Sequence, residues 1–597
     1  MQQQLDMTWR LDMFPGGSGS RPFAVFLAQV GRDLRELEEA LNRPEGISDG
    51  AGDGWEPLLA LVQRLMNAIK EADSFVACLC AQRQDDEQAQ QLSGAVKTVA
   101  AEYLSACSRL DERLLALDNG EWEALLERDF ARPVRFWLEE RRQLAAEKLS
   151  PELETLIHEL SVSGYHGWGD HYNTIVSQIA IEEQGKDGHV RKLSAGQAAN
   201  LLHDPDRARR SRMFALWEQA WGNQAPLCAD TLNHLAGFRL NMYERRGWDD
   251  ALKEPLAINR MSAETLQAMW SAVNANKAPL KRFLERKAQL AGVERPSWHD
   301  VDAPLGETEP VGYADAAAFI VRHFSAFSDE LARFAERAFR ERWVEAEDRP
   351  GKRPGGFCTS FPLSKQTRIF MTYAGTASNV STLAHELGHA YHQHVMEDLP
   401  PLAQDYAMNV AETASTFAEL LVSDAAVREA HSDSARIALL DDKLQSAVAF
   451  CMNIQARFLF ERRFYEQRKH GHITVSQLNE LMEQAQREAY GDALDRYHPL
   501  FWASKLHFYL TDVPFYNFPY TFGYLFSAGL YARAEQEGAA FASRYVALLR
   551  DTGRMTVEQL AEQHLGVDLR QPQFWQSALD RMLGDVDLFI SLTDKHI

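Results

Sequence analysis

The spacing of apolar residues along the chain predicts a mainly helical protein. Amphipathic stretches, with apolar residues three and four apart, recur from one end of the sequence to the other. They span residues 24–42, 56–82, 90–117, 151–161, 262–292, 313–346, 403–430, 434–470, 475–488 and 520–536. The alternation that is typical of β-strands is scarce, and its clearest instance is 367–373. We therefore expect a helical fold with a small β-sheet.

The helical pattern is interrupted most strongly near residues 185–200. There the run Gln184-Gly185-Lys186-Asp187-Gly188-His189 breaks the apolar periodicity. A chain of 597 residues is long enough for more than one hydrophobic core. We predict an N-terminal helical region over 1–195 and a second domain over 196–597.

Charge and cysteine content narrow the class of protein. The formal net charge is −22, from 63 basic and 85 acidic side chains, which argues against nucleic acid or an anionic membrane as the main partner. No apolar run reaches the length of a transmembrane helix, and the N-terminal residues lack the basic and apolar regions of a signal peptide. The six cysteines are too sparse for a disulfide framework. These features predict a protein of the reducing cytoplasm.

One short motif carries specific chemistry. His385-Glu386-Leu387-Gly388-His389 has the pattern His-Glu-x-x-His. Residues four apart share one face of a helix, so His385 and His389 can bind one metal ion together. Glu386 lies near the same site and can take a proton from a water that the metal activates. The motif predicts two ligands and a general base.

The surrounding sequence favours a helix for this motif. The stretch 378–395 has no proline, and apolar residues recur through it at helical spacing. Ser378 or Asn379 is predicted to cap its N-terminus. The alternative is a buried structural helix whose two histidines are satisfied by hydrogen bonds.

The third metal ligand lies outside the motif. One class of zinc proteases requires a glycine three residues after the second histidine and a third histidine three residues further on, where this chain has His392 and Val395. That class is excluded. His392 and His394 are predicted not to be ligands, because His392 lies too far along the helix axis and additional ligands are rare.

A second helix offers an acidic ligand. The segment 411–419 is small or apolar except for Glu412 and Glu419, and such a face packs closely against a neighbouring helix. Acidic residues on that face are costly unless they are paired or bound to metal. We predict Glu412 as the third ligand. Glu419 is the alternative ligand, or an acceptor that orients a ligating histidine.

Aromatic residues with polar groups cluster towards the C-terminus. His507 is followed by Tyr516, Tyr520 and Tyr524 among several phenylalanines. A tyrosine hydroxyl or a histidine N–H can stabilise the oxyanion that forms when an amide is hydrolysed. The alternative is an ordinary aromatic core.

Together these segments resemble the M3 metallopeptidases, with greatest similarity to the oligoendopeptidase F branch. The resemblance rests on Gly355-Gly356-Phe357-Cys358, on the metal motif, on 411–417, and on His507-Phe508-Tyr509 with 514–524. It is strong over about 200–580 and weaker in the N-terminal helical part. The resemblance implies that 196–597 is a catalytic peptidase domain.

The resemblance also implies a fold, a metal and residue roles. The fold would be a large helical zincin-like (gluzincin-type) metallopeptidase, with a small sheet beside the active-site helix and a deep channel between two halves that admits short unstructured peptides. One Zn²⁺ would be bound by His385, His389 and Glu412, with Glu386 as the base. Substrate contacts would fall on His507, Tyr516, Tyr520 and Tyr524.

The function that we expect is zinc-dependent hydrolysis of internal bonds in short peptides. Two alternatives differ in their products. A zinc carboxypeptidase on a similar helical scaffold would remove single residues and would need a group that binds the C-terminal carboxylate. A non-catalytic peptide-binding protein would release no fragments.

Overall fold

Helices account for most of the protein. The computed structural model describes residues 5–42, 54–184, 189–306 and 309–596. The helices up to residue 201 are α1 (Arg21–Asn42), α2 (Trp55–Gln82), α3 (Glu87–Ala116), α4 (Asn119–Leu126), α5 (Arg135–Ala146), α6 (Pro151–Ser161), α7 (Gly167–Gln178) and α8 (Ala195–Leu201). Next are α9 (Arg207–Arg246), α10 (Lys253–Ile258), α11 (Ala263–Ala275), α12 (Lys277–Leu290), α13 (Tyr313–Phe327), α14 (Asp329–Arg340), α15 (Ala377–Met396) and α16 (Met408–Glu429). The remainder are α17 (Asp433–Val448), α18 (Ile454–Arg468), α19 (Val475–Ala489), α20 (Phe501–Ser504), α21 (Phe518–Glu537), α22 (Ala540–Asp551), α23 (Val557–Leu565) and α24 (Pro572–Thr593).

Five short strands form two sheets in the described parts of the chain. They are β1 (Ala180–Gln184), β2 (Val190–Ser194), β3 (Val344–Glu345), β4 (Phe357–Phe361) and β5 (Gln366–Phe370). β1 and β2 pair antiparallel, with Gln184 opposite Val190. In the other sheet the order is β3-β5-β4, where β5 is parallel to β3 and antiparallel to β4. The predicted strand at 367–373 is confirmed as β5, which begins one residue earlier and ends three residues earlier than predicted.

Contacts between residues divide the chain into two units, and each unit is made of three segments that alternate along the sequence. Unit 1 takes residues from 1–148, 310–425 and 533–566, and unit 2 takes residues from 149–309, 426–532 and 567–597. The division at 195/196 stays a prediction. Residues 185–188 of the predicted interruption lie outside the described residues.

In the described residues of unit 1, two buried clusters lie around the N-terminal helices. One lies among α1 to α5 and includes Leu402 and Ala403 from a short 3-10 turn. The other joins aromatic side chains of the N-terminal segment, α1 and α2 to Phe361 and Phe370 of the sheet. On the sheet, α15 packs against both β4 and β5. The expected small sheet beside the motif helix is confirmed.

Unit 2 is organised around its longest helices. α9 packs against α7, α18 and strand β1, while α24 packs against α11, α12 and α17. The side chains of Trp221, Trp502 and Trp575 are almost completely buried. Burial of such large apolar surfaces is the main stabilising contribution to a helical core of this kind.

The predicted helix 434–470 is interrupted by the π-helical turn Ala449–Asn453 between α17 and α18, and the predicted helix 313–346 was too long, because Val344–Glu345 form β3. Two predicted helices also break at a residue that is not helical. The stretch 262–292 divides at Asn276 into α11 and α12, and 313–346 divides at Ser328 into α13 and α14. Ser328 has an extended backbone, and its hydroxyl accepts a hydrogen bond from Leu331 N, which starts the second helix. Apolar periodicity continued across both breaks, so it did not predict them. None of the described helices is long and apolar enough to cross a membrane.

Candidate metal centre and aromatic cluster

Helix α15 presents the motif on a well-capped element. Its N-cap is Thr376, whose hydroxyl accepts from Asn379 N, while the Asn379 side chain accepts from Thr376 N. The predicted cap at Ser378 or Asn379 was therefore wrong by two or three residues. Asn379 takes part from the third position of the helix instead.

The two motif histidines meet one carboxylate from α16. Oε2 of Glu412 lies 3.3 Å from Nε2 of His385 and 3.5 Å from Nε2 of His389. One donor atom from each of the three residues falls within 4.8 Å of the others. Two imidazole nitrogens and a carboxylate oxygen form the donor set that a catalytic zinc site uses, so these residues fit a divalent metal ion.

Close packing of α15 on α16 brings the three candidate ligands together. A Cβ atom on Gly388 would lie 2.4 Å from the carbonyl oxygen of Ala414 and 2.6 Å from Cα of Ser415. Ala414 and Ser415 are buried and small. The helices can approach this closely because none of the three residues carries a large side chain, and this approach sets Glu412 beside both histidines.

Glu419 contacts a different nitrogen. Its Oε2 lies 3.1 Å from Nδ1 of His385, whereas Glu412 faces Nε2 of the same ring. A carboxylate at Nδ1 fixes the orientation of the ring and leaves Nε2 for a metal. This geometry supports the second of the two predicted roles for Glu419.

The two histidines later in α15 face other partners. His392 is buried, stacks on Tyr406 and has its Nε2 2.9 Å from the Thr552 hydroxyl. His394 stacks on Phe334, with a ring centroid distance of 4.8 Å. Neither belongs to the group of candidate ligands found among the described residues.

Glu386 is buried beside strand β4. A Cβ on Gly356, immediately before that strand, would lie 3.3 Å from its Oε1. Oε2 of Glu386 has no hydrogen-bond partner among the described residues. Burial raises the pKa of this carboxyl group to about 7. A carboxylate with a free oxygen and a pKa near neutrality can both accept and release a proton.

The charges of the three candidate ligands are strongly coupled. Burial lowers the pKa of His389 to about 4. Burial acts against ionisation of Glu412 as well, but the hydrogen bond and positive charge of His385, with the charge of His389, hold its pKa at about 2. For His385, burial is outweighed by the hydrogen bonds to Glu412 and Glu419, which raise its pKa. The pocket therefore holds an anionic Glu412 and favours a positive charge on His385, and a metal ion at Nε2 of His385 would replace that proton.

Three of the four predicted aromatic-site residues form one cluster in unit 2. His507 lies in the 3-10 turn Leu506–Tyr509 and stacks on Tyr516 at a centroid distance of 5.3 Å. Tyr520, in the first turn of α21, contacts both rings edge-on at 5.2 and 6.1 Å. We call these three residues the aromatic cluster. Tyr524 stacks on Phe450 instead, at 4.7 Å, and is buried.

A buried acid that sequence reasoning missed holds the loop of this cluster. Glu461 on α18 accepts hydrogen bonds from Asn517 Nδ2 at 2.7 Å and from Phe515 N at 3.3 Å. Phe515 has a positive φ of 52°, which an L-residue adopts only when its surroundings hold it there. Glu461 lies three residues after Phe458 and four before Tyr465, so the three side chains share one face of a helix. An acidic residue on such an aromatic face is the sequence pattern that could have revealed it.

Comparisons with known proteins agree with this architecture. Residues 319–581 match the family model described as peptidase family M3, and residues 113–180 match the one described as oligopeptidase F. The chain is 22% identical over 582 residues to oligopeptidase PepF of Bacillus subtilis, covering 95% of this chain and 84% of that protein. It is 23% identical over 509 residues to group B oligopeptidase PepB of Streptococcus agalactiae, and the match covers 82% of this chain and 83% of that protein.

Solved structures show the same fold. A crystal structure from Chlamydophila abortus matches with a TM-score of 0.84 at 17% identity, over 99% of each chain. Oligoendopeptidase-F from Enterococcus faecium matches with a TM-score of 0.72 at 18% identity, over 96% of this chain and 99% of that one. The comparisons as a whole indicate a metalloendopeptidase. The two matched regions together cover more than half of the chain, which belongs to peptidase family M3. The resemblance found in the sequence is thus confirmed.

Proposed function

We propose that the protein is a zinc-dependent oligoendopeptidase, which hydrolyses internal bonds of short unstructured peptides. The observation that carries this proposal is the convergence of His385, His389 and Glu412 within 4.8 Å, next to Glu386. Family membership supports a metallopeptidase on peptide substrates. The six cysteines are all free, which supports a location in a reducing cytoplasm.

In this proposal His385, His389 and Glu412 hold one Zn²⁺. A zinc ion so held supplies Lewis-acid chemistry, in that it stabilises negative charge and lowers the pKa of water. Glu419 keeps the His385 ring oriented through Nδ1. Glu386 accepts the proton of the attacking water at its free carboxylate oxygen and passes it to the leaving amine.

The aromatic residues are assigned to the substrate. We propose that His507, Tyr516 and Tyr520 contact the peptide and stabilise the oxyanion, because their rings form one cluster of polar groups that are only half-buried. Tyr524 is kept as a substrate-contacting residue on the family resemblance alone. Nδ1 of His507 is buried and has no hydrogen-bond partner among the described residues.

Hydrolysis of an internally quenched peptide, followed by mass analysis of the fragments, tests the proposal. We expect internal cleavage that stops on chelation and returns with zinc. The Glu386→Gln protein should retain zinc and lose activity by about 10²- to 10⁴-fold, since it keeps the ligands and removes the base. Removal of single C-terminal residues would instead establish a carboxypeptidase. A zinc-loaded protein that cleaves nothing would be a peptide-binding protein.

A further inference from the structure

Two cations in unit 2 lie against the same aromatic ring. The guanidinium carbon of Arg457, on α18, lies 5.4 Å from the ring centroid of Phe501, and Nζ of Lys505 lies 5.2 Å from the same centroid. Phe501 is 3% exposed, so both cations lie against a buried ring and are themselves only half-exposed. We call Arg457 and Lys505 the cation pair.

The cation pair lacks the partners that such charges normally have. In the described parts of the chain, no carboxylate oxygen lies within 4.0 Å of either side chain's nitrogen atoms, and Nζ of Lys505 makes no hydrogen bond. Arg457 uses Nε to donate to Asn453 Oδ1 at 2.8 Å, which leaves its two terminal nitrogens for a ligand. Asp302 acts on both charges only from a distance and is exposed.

Another lysine of the same unit shows how this protein satisfies a structural cation. Nζ of Lys287 lies 2.9 Å from Asp441 Oδ1 and donates to the carbonyl oxygens of Val301 and Ala303. With 85 acidic side chains in the sequence, counter-ions are plentiful. A half-buried pair of cations that has no carboxylate of the protein as counter-ion is therefore a site where the anion of a ligand can bind.

The cation pair adjoins the aromatic cluster. Lys505 precedes His507 by two residues, and the charge of Arg457 acts on Tyr520. Burial lowers the pKa of His507 most, and the positive charges of Arg457 and Lys505 lower it further, to about 4. Burial and then the charge of Arg457 lower the pKa of Lys505 to about 8, so its ammonium group is still charged at neutral pH.

We propose that Arg457 and Lys505 bind the C-terminal carboxylate of the peptide substrate. This inference rests on the proposed function, in which His507, Tyr516 and Tyr520 contact the peptide. The fork of an arginine and the ammonium group of a lysine together match the two oxygens of a carboxylate. A terminal carboxylate is the anion that every peptide carries whatever its sequence.

Binding to the inactive Glu386→Gln protein tests the inference without relying on turnover. The probes are two peptides labelled at the N-terminus and identical except for a free C-terminal acid or a C-terminal amide, and the readout is fluorescence anisotropy. We expect the acid to bind about 10- to 100-fold more tightly, the range for hydrogen bonds to a charged group. Adding Lys505→Met or Arg457→Gln should remove most of this preference, and Lys505→Arg should retain it.

A matched control and a stability measurement separate binding from folding. Lys192→Met removes an exposed lysine of the same unit and should leave the preference unchanged. Lys505→Met should not lower Tm, because it removes a half-buried charge that has no carboxylate partner and keeps an apolar side chain against Phe501. A structural role for Lys505 would instead lower the Tm and weaken both peptides equally.

Three results would overturn the inference. The first is equal binding of acid and amide by the Glu386→Gln protein, and the second is a preference that persists in Lys505→Met. The third is an amidated peptide ending in glutamate that binds as tightly as the free acid, which would assign the site to acidic side chains. Failure of the native protein to hydrolyse any peptide would refute the proposed function. The ratio of the affinities for the acid and the amide would still show whether Arg457 and Lys505 bind a terminal carboxylate.

Discussion

The candidate metal centre in unit 1 and the aromatic cluster in unit 2 hold their polar groups by different means. In unit 1, His385 and His389 lie four residues apart on one helix, and Glu412 comes from a second helix packed directly on it. In unit 2, His507 lies in a 3-10 turn, and Tyr516 follows a residue with positive φ. Regular helices position the first group, and buried polar contacts to an irregular loop position the second.

This difference indicates where each site is vulnerable. The metal centre depends on the distance between α15 and α16, so added volume between these helices should damage it most. The aromatic cluster depends on Glu461 and its hydrogen bonds to the 515–517 loop, so changes of charge should damage it most. Substitutions can therefore separate the two effects.

The largest effect that we expect is from Gly388→Ala. The new Cβ would lie 2.4 Å from the carbonyl oxygen of Ala414, which must move because it belongs to the backbone of α16. Overpacking of this kind costs about 3 kcal/mol, and a displaced α16 carries Glu412 away from the histidines. Chemical denaturation and zinc content measure the two consequences.

Gly94→Ala is the control for helix propensity. Gly94 lies within α3 of the same unit, with no atom within 4 Å of the added Cβ. This substitution should stabilise the protein by about 0.5–1 kcal/mol and leave zinc binding unchanged. A Gly388→Ala protein with native stability and a full complement of zinc would show that close packing does not set the ligand geometry.

The second effect is a pH dependence of stability that comes from Glu461. Burial raises the pKa of this carboxyl group to about 8 in the folded protein, above its ordinary value of 4.5. A raised pKa means that its contribution to stability is fully present below pH 4.5 and is lost as the pH rises through about 8. Between pH 6 and pH 8 the loss should be about 2 kcal/mol.

Comparison with Glu461→Gln isolates this contribution. Glutamine stays neutral, so the free energy of unfolding of the Glu461→Gln protein should not fall between pH 6 and pH 8 through this group. Over the same range the native protein should lose about 2 kcal/mol of stability relative to the variant. Denaturation of both proteins at each pH provides the measurement. Parallel pH profiles would mean that Glu461 does not titrate in this range.

Sequence reasoning could predict that His385, His389 and Glu412 come together as a candidate metal centre, because helical spacing and packing determine this arrangement. The offsets of 385, 386 and 389 place three groups near one another on any helix. The small residues around Glu412 indicated close packing, which Gly388, Ala414 and Ser415 show. In contrast, the N-cap lies at Thr376 rather than at Ser378 or Asn379, because all three residue types cap helices and only the backbone conformation selects one.

The rest depends on contacts between distant parts of the sequence. Glu461 precedes Phe515 by 54 residues, and no local pattern links a helical acid to a later loop. The cation pair likewise joins Arg457 to Lys505 through Phe501. Aromatic residues in 507–524 predicted a site, but not that Tyr524 would stack on Phe450 while Tyr516 and Tyr520 meet His507. Tertiary structure alone separates these tyrosines.

The smallest effect that we expect is that of a substitution at Glu419. It distinguishes a metal ligand from a residue that orients a ligand. Glu419→Gln removes the negative charge beside Nδ1 of His385 but leaves an oxygen that can accept its hydrogen bond. Loss of such a partner weakens zinc binding by about 10-fold, whereas loss of a ligand would abolish it. Competition for zinc with a chelator of known affinity provides the measurement.

Glu397→Gln is the matched control, because Glu397 makes the same kind of contact, at 3.3 Å, to Nδ1 of the non-ligating His394. Both substitutions remove one negative charge from a histidine–glutamate pair, so any general effect of charge on zinc affinity should be common to them. Only Glu419→Gln should weaken zinc binding, because of these two histidines only His385 belongs to the group that could hold a metal ion. Equal losses in the two variants would attribute the effect to net charge, and complete loss in Glu419→Gln would make Glu419 a ligand.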